Sequence, residues 1–418
     1  MAVEKVDVIV IGAGPSGCVA AAHLARQGRK VLVLEKQVFP RLVVGESLLP
    51  RSMAHWEETG LLPALEAQNY APKLGARFVR GAELIDLRFG ENFTQGWTRT
   101  WQAPRAHFDK TAADATAAQG VDIRYGISAE RVDLEADDGV IVQARDGHGD
   151  HSFQARYLID SSGYGGTLVK LLGLRDDKWP NPRMAAYTHV RERDRDSWKE
   201  AMQITFEVMA VDLWFWVIPF SDGTTSVGFV GDPRHFDPFT PGRPVAEAFA
   251  EMVLRSENFR ERFQDQTPLW EPHVIRDYSH YNERLYGRNY VLTGNCAGFL
   301  DPVFSSGVML ATESGLLAAK LVERILQGGA VDWETEYSDH IRHGAAVFRS
   351  YIEGWYNGDL QTIFFNPTME PRIKEQIISV LAGYVWDMQN PFVRRHDRIL
   401  SQLASLVRAG NGAAIEAQ

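Results

Sequence analysis

Near the start of the chain, two apolar runs lie on either side of a segment whose apolar residues have helical spacing. Residues 8–11 read Val-Ile-Val-Ile, an unbroken apolar run that is typical of a parallel strand covered on both faces. Helical spacing of apolar residues follows over 16–26, and a second apolar run occupies 31–34. The pattern therefore predicts a strand, a helix and a second strand in succession.

The turn between the first strand and the helix carries the glycines of a dinucleotide site. It reads Gly12-Ala13-Gly14-Pro15-Ser16-Gly17. Gly12 allows a tight turn, Gly14 lets the backbone approach a pyrophosphate, and Gly17 lets the helix and strand pack closely. The helix N-terminus favours the negative charge of the phosphates. Glu35 ends the second strand 18 residues after Gly17, near the distance at which an acidic side chain reaches a ribose hydroxyl. We predict nucleotide contacts from Gly12, Gly14, Ser16, Gly17 and Glu35.

Further elements follow from local patterns along the rest of the chain. These patterns predict strands over 76–88 and 121–158, a helix over 105–115, a buried strand and turn over 157–163, an antiparallel sheet over 184–231, a strand over 289–293, a helix over 308–326 and mostly helix after residue 333. The predicted fold is α/β (α+β), with a Rossmann-like domain, an inserted antiparallel sheet and a C-terminal helical layer.

The nucleotide-binding domain is predicted to be discontinuous. It comprises residues 1–180 together with 285–330. A substrate domain built on the antiparallel sheet takes 181–284, and a helical region takes 331–418.

One strand of the predicted sheet carries two tryptophans. It reads Trp214-Phe215-Trp216-Val217-Ile218-Pro219. Alternation puts Trp214 and Trp216 on one face and Phe215 and Val217 on the other, until Pro219 interrupts the ladder. Two indoles on one face can wall a cavity. The alternative is a sheet that simply packs on a core.

Composition narrows the class of protein. The chain has 418 residues, 45% hydrophobic and 23% charged, and a formal net charge of -10, which is typical of a globular protein without a basic surface for nucleic acid. Cys18 and Cys296 are the two cysteines, so we expect neither disulfides nor a metal site, and a reducing, cytoplasmic location. No apolar run approaches the roughly 20 residues of a transmembrane helix.

Several separated motifs resemble those of the FAD-dependent halogenases, within the wider group of flavin monooxygenases. They are Phe39-Pro40-Arg41 with Gly45-Glu46-Ser47-Leu48-Leu49-Pro50, Pro104-Arg105-Ala106-His107-Phe108-Asp109, the WxWxIP segment at 214–219, and Asp301-Pro302-Val303-Phe304-Ser305-Ser306-Gly307-Val308. The resemblance spans residues 8–365, and the tryptophan motif is its most discriminating part. It implies additional FAD contacts from Arg41, Glu46, Ser47, Arg105, Asn295, Asp301 and Gly307.

The resemblance also implies the chemistry. Reduced FAD and oxygen would oxidise chloride or bromide to hypohalous acid, which would reach Lys73, where the family places its catalytic lysine, in the cavity walled by Trp214 and Trp216. As an ammonium, Lys73 would donate a hydrogen bond to the halogen species; as an amine, it would form a haloamine. The backbone amides of Ser306 and Gly307 would bind the halide at a helix N-terminus.

The chain departs from the family pattern at two positions, one of which concerns the flavin contact and the other the class of substrate. Asn295 stands where such flavoproteins have aspartate, which implies a weaker contact to the flavin ribityl chain. Phe304 replaces the glutamate of free-tryptophan halogenases, so the phenol and pyrrole branch, whose substrates are frequently tethered to carrier proteins, fits better. Arg394, Arg395 and Arg398 form one candidate basic patch for docking an acidic carrier protein; the alternative is a solvated helix face. No second glycine fingerprint follows a strand, so a separate flavin reductase is the predicted electron donor.

Two alternatives remain open from the sequence. A flavin hydroxylase or a double-bond reductase of the geranylgeranyl reductase kind shares the FAD motifs. A catalytically silent flavoprotein partner in a biosynthetic complex is the other. Dependence of product formation on halide separates the halogenase from the hydroxylase and the reductase, and Lys73→Ala separates it from the silent partner.

Overall fold

The computed structural model describes residues 3–198 and 200–416. Its strands in this part of the chain are β1 Glu4–Lys5, β2 Val8–Ile11, β3 Val31–Glu35, β4 Ala71–Lys73, β5 Gly75–Arg80, β6 Glu83–Arg88, β7 Thr100–Gln102, β8 Asp122–Tyr125, β9 Ser128–Asp133, β10 Val140–Asp146, β11 Gly149–Ala155, β12 Tyr157–Asp160, β13 Asp176–Lys178, β14 Met184–Arg191, β15 Thr205–Ala210, β16 Leu213–Pro219, β17 Thr224–Gly231, β18 His273–Arg276, β19 His280–Asn282, β20 Tyr286–Gly287, β21 Tyr290–Leu292 and β22 Gly298–Phe299.

Helices connect and follow these strands along the described part of the chain. They are α1 Pro15–Arg26, α2 Arg51–Glu58, α3 Leu62–Glu66, α4 Arg105–Ala117, α5 Thr167–Leu171, α6 Val245–Leu254, α7 Arg260–Phe263, α8 Ser306–Leu326, α9 Asp339–Tyr356, α10 Asp359–Phe364, α11 Pro371–Leu381, α12 Pro391–Arg394 and α13 Ile399–Glu416. No helix in the described ranges combines the length and the apolar character that a membrane span requires.

The chain divides into two compact units. Of the described residues, the first unit contains 3–69, 103–179 and 280–345, and the second contains 70–102, 180–198, 200–279 and 346–416. Both units are therefore discontinuous in sequence.

A six-stranded sheet organises the first unit, in the order β20-β21-β12-β2-β3-β8. Strands β21, β12, β2, β3 and β8 run parallel, and β20 pairs antiparallel with β21 at the edge. Every residue of β2 and β3 is buried, as the unbroken apolar runs predict for strands covered on both faces. A four-stranded sheet, β1-β11-β10-β9, and the small sheet β13-β19-β22 complete the unit.

A seven-stranded sheet organises the second unit, in the order β18-β14-β17-β16-β15-β5-β6. The pairings from β18 to β15 are antiparallel, as predicted. One face packs on a core that contains Phe215, Val217 and Phe229. The predicted fold class is confirmed, with an α/β nucleotide-binding unit, a separate antiparallel sheet and helices toward the C-terminus.

The grouping of residues 70–102 differs from the predicted first domain, which comprises residues 1–180 with 285–330. Residues 70–102 belong to the second unit rather than to the nucleotide-binding part. The reason is that β5 pairs in parallel with β15 and so extends the large sheet. This pairing joins segments more than 100 residues apart, which a local pattern does not reveal.

Candidate active site

The glycine-rich turn has the geometry that its sequence predicts. Gly12 has a φ of +98°, and a Cβ there would lie 2.5 Å from the carbonyl oxygen of Ser161. A Cβ on Gly17 would lie 1.9 Å from the carbonyl oxygen of Gly12. A side chain at either position is therefore excluded by backbone atoms, and α1 begins directly against the end of β2.

Glu35 braces this turn from the end of β3. Its Oε2 accepts a hydrogen bond of 2.9 Å from the backbone N–H of Ala13, and its Oε1 accepts one of 2.8 Å from Gln37. The carboxylate is buried, with 6% of its surface exposed. Glu35 therefore holds the backbone of the phosphate turn, in addition to lying where a ribose contact is predicted.

Two arginines of the predicted FAD motifs meet at one buried aspartate. Arg105 donates from Nε and Nη2 to the two carboxylate oxygens of Asp109, at 2.8 and 3.0 Å. Arg41 lies 3.3 Å from Asp109 Oδ2, and Arg105 Nη1 also donates to the carbonyl oxygens of Val44 and Gly45. The arrangement fixes the 39–50 segment on the first turn of α4.

The 39–50 segment also reaches the loop that precedes α8. Ser305 Oγ donates to Ser47 Oγ at 3.0 Å. Asp301 accepts a hydrogen bond of 3.0 Å from the N–H of Val303, and Ser305 has a left-handed φ of +58° just before the helix begins at Ser306. A Cβ on Gly307 would approach the Phe299 ring to 3.0 Å. The N-terminus of α8 is thus held in a defined place.

Glu46 and Asn295 complete the predicted FAD contacts. The carbonyl oxygen of Glu46 accepts a hydrogen bond of 2.8 Å from Ala103, and its side chain is buried. The carbonyl oxygen of Asn295 accepts one of 2.8 Å from His280 Nε2. Gly294, with a φ of +59°, donates its N–H to Ser314 Oγ. The 294–296 turn is therefore anchored through its backbone.

These residues fit an FAD molecule. The glycine turn leaves its backbone uncovered at the start of helix α1, because no side chain can occupy Gly12 or Gly17. All the predicted contact residues from Gly12 to Gly307 lie in the first unit. The cofactor residues predicted from the sequence therefore lie within one compact unit, where backbone amides and paired charges would hold the phosphates and flavin.

Lys73 lies in the second unit, at the end of the two-stranded sheet β4-β7. Only 3% of its surface is exposed, and its Nζ lies 5.4 Å from the centroid of the Phe89 ring. Burial lowers the pKa of Lys73 from 10.5 to about 7. An ammonium and a neutral amine are therefore both accessible near neutral pH.

Trp214 and Trp216 share one face of β16, as alternation predicts. Their ring centroids are 5.8 Å apart, and both side chains are buried. Trp214 Nε1 donates to Tyr356 Oη at 3.0 Å, and Trp216 Nε1 donates to Ser226 Oγ at 3.0 Å. A Cβ on Gly228 would lie 2.4 Å from the Trp216 ring, so that glycine makes room for the indole. Pro219 is the last paired residue of β16.

One buried polar cluster was not anticipated from the sequence. His55 on α2 contacts Glu313 on α8 at 2.7 Å, and His340 and Arg51 approach the same carboxylate at 3.0 and 3.1 Å. Burial favours the neutral acid, but hydrogen bonds from His340 and His55 hold the pKa of Glu313 well below its ordinary value. Burial lowers the pKa of His55. The 258-residue separation of His55 and Glu313 hides this contact from local patterns.

The remaining predicted features are at the surface or in the core. Arg394, Arg395 and Arg398 are exposed, with exposed Asp397 among them. Cys18 and Cys296 are buried and free. Within residues 3–198 and 200–416, no group of three or more His, Cys, Asp or Glu side chains is placed to hold a metal ion.

Comparison with known proteins identifies the family. The family model of the FAD binding domain matches residues 5–210. A solved flavoprotein/dehydrogenase from Cytophaga hutchinsonii is 44% identical with a TM-score of 0.94, and the match covers 98% of this chain and 100% of that one. A 1H-pyrrole-2-carbonyl-[peptidyl-carrier protein] chlorinase of Pseudomonas fluorescens is 28% identical over 409 residues, covering 91% of this chain and 89% of the relative.

A solved myxobacterial FAD-dependent halogenase, the chondrochloren halogenase, is similar along nearly its whole length. It is 27% identical with a TM-score of 0.77, and 97% of each chain is covered. The matching FAD binding domain and the glycine turn of the first unit establish FAD as the cofactor. The chain therefore belongs to the FAD-binding flavoproteins of the oxidoreductase type, and the curated relatives that match most of its length include flavin-dependent halogenases.

Proposed function

We propose that this enzyme halogenates an electron-rich phenol or pyrrole, and that Lys73 directs hypohalous acid onto the ring. The observation that carries the proposal is the lysine itself. It is buried at the end of β4, where burial lowers its pKa to about 7. Perturbed titratable groups of this kind concentrate at functional sites.

Bound FAD, in its reduced form, supplies the oxygen activation that oxidises chloride or bromide. The chain's residues position it. The turn from Gly12 to Gly17 would hold the pyrophosphate at the N-terminus of α1, and the Arg41–Asp109–Arg105 cluster holds the 39–50 segment in place. Ser306 and Gly307, at the start of α8, offer backbone N–H groups to the halide, since the helix dipole favours an anion there.

Lys73 acts on the halogen. In its charged form it donates a hydrogen bond to the oxygen of hypohalous acid, which makes the halogen more electrophilic. The ring carbon forms a bond to the halogen, the halogen–oxygen bond breaks, the ring loses its proton, and water leaves. Trp214 and Trp216 provide rigid apolar surface on the β16 strand of the same unit.

Carrier-tethered pyrrole is the substrate class that the relatives favour. The relative from Pseudomonas fluorescens is named as a chlorinase of pyrrole-2-carbonyl carried on a peptidyl carrier protein. The exposed Arg394, Arg395 and Arg398 would meet an acidic carrier protein. A separate flavin reductase would supply reduced FAD.

Replacement of Lys73 tests the proposal most directly. We expect Lys73→Ala to lower halogenated product at least about a hundredfold, because a positioned proton donor typically contributes that much. FAD binding and hydrogen peroxide release should remain. Product is measured by mass spectrometry with bromide, oxygen, reduced FAD and phenolic or pyrrolic substrates, free and carrier-bound. Lys170→Ala, on the exposed surface of α5, is the matched control. Undiminished halogenation by Lys73→Ala contradicts the proposal.

The pH profile distinguishes the two forms of the lysine. If the ammonium is the active form, the rate falls as pH rises through about 7, where Lys73 loses its proton. If a haloamine carries the halogen, the rate rises through the same range. A profile without an inflection near the pKa of Lys73 contradicts a role for its titration.

The second candidate is an oxidoreductase that transfers hydrogen instead of halogen. The name of the 44% identical relative, a flavoprotein/dehydrogenase, favours it. The same assay decides, because this enzyme would form equal product without chloride or bromide.

A further inference from the structure

Two buried polar atoms lie beside Lys73 without hydrogen-bond partners in the described part of the chain. They are Thr100 Oγ1 and Gln102 Oε1. Thr100 has 1% of its surface exposed and Gln102 has none. A buried polar group without a partner is costly, so native structures rarely retain one unless water or a ligand satisfies it.

The strand pair β4-β7 puts these groups on the face that carries Lys73. Lys73 is directly opposite Thr100, and Ala71 is opposite Gln102. Directly opposite residues project to the same face of a two-stranded sheet, and residues two apart along a strand do so as well. Thr100 and Gln102 therefore share a face with the lysine.

The amide of Gln102 has a fixed orientation. Its Nε2 donates to the carbonyl oxygens of Pro219 at 2.9 Å and Met202 at 3.3 Å. Carbonyl oxygens only accept hydrogen bonds, so the nitrogen must point toward both and cannot exchange places with Oε1. Oε1 is thus a rigid acceptor, and Pro219, which ends the tryptophan strand β16, holds it there.

We propose that Gln102 Oε1 accepts a hydrogen bond from the ring N–H of a pyrrole or the hydroxyl of a phenol, and so selects aromatic substrates that carry a donor. The inference rests on the proposed function for the identity of the ring. Gln102 orients the ring beside Lys73, and Thr100 Oγ1 offers a second polar contact on the same face. Donation to a fixed acceptor also adds electron density to the ring that is to be halogenated.

Binding of matched probes tests the proposal without turnover. The probes are phenol with anisole, and pyrrole-2-carboxamide with its N-methyl derivative, titrated calorimetrically into the FAD-loaded protein. We expect the wild-type protein to bind the donor-bearing member of each pair about tenfold to a hundredfold more tightly, because methylation leaves the buried acceptor unpaired. In Gln102→Met, which has similar length but no acceptor, the preference should fall to about one.

A second glutamine provides the structural control. Gln361 is also buried, and its Nε2 likewise donates to two carbonyl oxygens, those of Val211 at 2.8 Å and Trp355 at 3.1 Å. Gln361→Met should retain the wild-type preference whatever its effect on stability. A purely structural Gln102 would weaken both members of a pair equally in Gln102→Met, and that result overturns the proposal.

The test separates this inference from the proposed function. A wild-type protein that binds phenol and anisole equally overturns the acceptor role even if no Gln102 variant folds. A donor preference that depends on Gln102 supports it even if Lys73→Ala retains halogenation, because the probes are not turned over. The two hypotheses therefore fail on different observations.

Discussion

The first unit contains residues predicted to hold FAD and the aspartate that pairs with two of them, called here the FAD cradle: the glycine turn 12–17, Glu35, Arg41, Arg105 and Asp109. The second unit contains the strand pair β4-β7, which carries Lys73. The two regions differ in how their buried charges are compensated. In the cradle, Asp109 meets Arg105 through two hydrogen bonds and Arg41 at 3.3 Å, and Glu35 accepts two backbone N–H groups. In the strand pair, burial makes the charged form of Lys73 unfavourable and lowers its pKa.

This difference separates residues that bind the cofactor from a residue proposed to take part in the reaction. Compensated groups in the cradle are held in one geometry by their hydrogen bonds, which suits the binding of a cofactor. Lys73 retains a cost that a hydrophobic residue would not incur, and such costs are typically kept where activity requires them. The comparison predicts that substitutions in the cradle damage binding, whereas substitution of Lys73 stabilises the fold and damages turnover.

Gly17→Ala is the largest expected disruption of the cradle. The new Cβ would lie 1.9 Å from the carbonyl oxygen of Gly12, so either α1 or the turn must move. We expect a loss of at least about 4 kcal/mol in unfolding free energy, or no folded protein, which is typical of severe overpacking against backbone. Thermal denaturation and FAD titration measure the two effects.

Gly147→Ala is the matched control for that change. No atom lies within 4 Å of a Cβ built at Gly147, a glycine in the β10–β11 hairpin of the same unit. Its effect on stability should stay within about 0.5 kcal/mol, and FAD affinity should be unchanged. Normal FAD affinity in Gly17→Ala would contradict the tight packing of the cradle.

Lys73→Met is the corresponding test of the second unit, and its expected effect has the opposite sign. The fall of the Lys73 pKa from 10.5 to about 7 corresponds to at most ~5 kcal/mol of destabilisation at neutral pH. We expect Lys73→Met to raise the unfolding free energy by about 3 kcal/mol at pH 7, measured by urea denaturation, since local water and relaxation reduce the upper bound.

The gain should depend on pH in a defined direction. Between about 7 and 10.5, the unfolded chain holds a proton on Lys73 that the folded chain does not. Wild-type stability therefore rises with pH across this range relative to Lys73→Met, and the advantage of the variant disappears above about 10.5. A difference between the two proteins that is constant from pH 7 to 10 would show that Lys73 is solvated.

The glycine turn and the strands and helix around it could be predicted from sequence because their determinants are local. The strand, glycine turn, helix and Glu35 lie within 28 residues, and each follows from spacing alone. The paired side chains of β16 also followed from period-two alternation. The resemblance to halogenases added Lys73, which no local pattern distinguishes from a surface lysine.

The surroundings of Lys73 could not be predicted, because long-range pairing creates them. Gln102 meets Pro219 across 117 residues, and His55 meets Glu313 across 258. Because β5 pairs in parallel with β15, residues 70–102 belong to the second unit and not to the predicted first domain. Thr100 and Gln102 are ordinary polar residues in sequence, and only the register of β4 with β7 places them on the face of Lys73.

The smallest predicted effect concerns the two indoles, whose hydrogen bonds differ in burial. Trp216 donates to Ser226 in a buried contact, whereas the bond from Trp214 to Tyr356 is partly buried. A double-mutant cycle of Trp216→Phe with Ser226→Ala should give a coupling free energy of about 1 kcal/mol. The cycle of Trp214→Phe with Tyr356→Phe should give about half of that, since water compensates for a partly exposed bond. If both couplings are near zero while Trp216→Phe still abolishes halogenation, the indole contributes to the chemistry and not to the fold; equal losses of stability and activity assign it to the packed sheet.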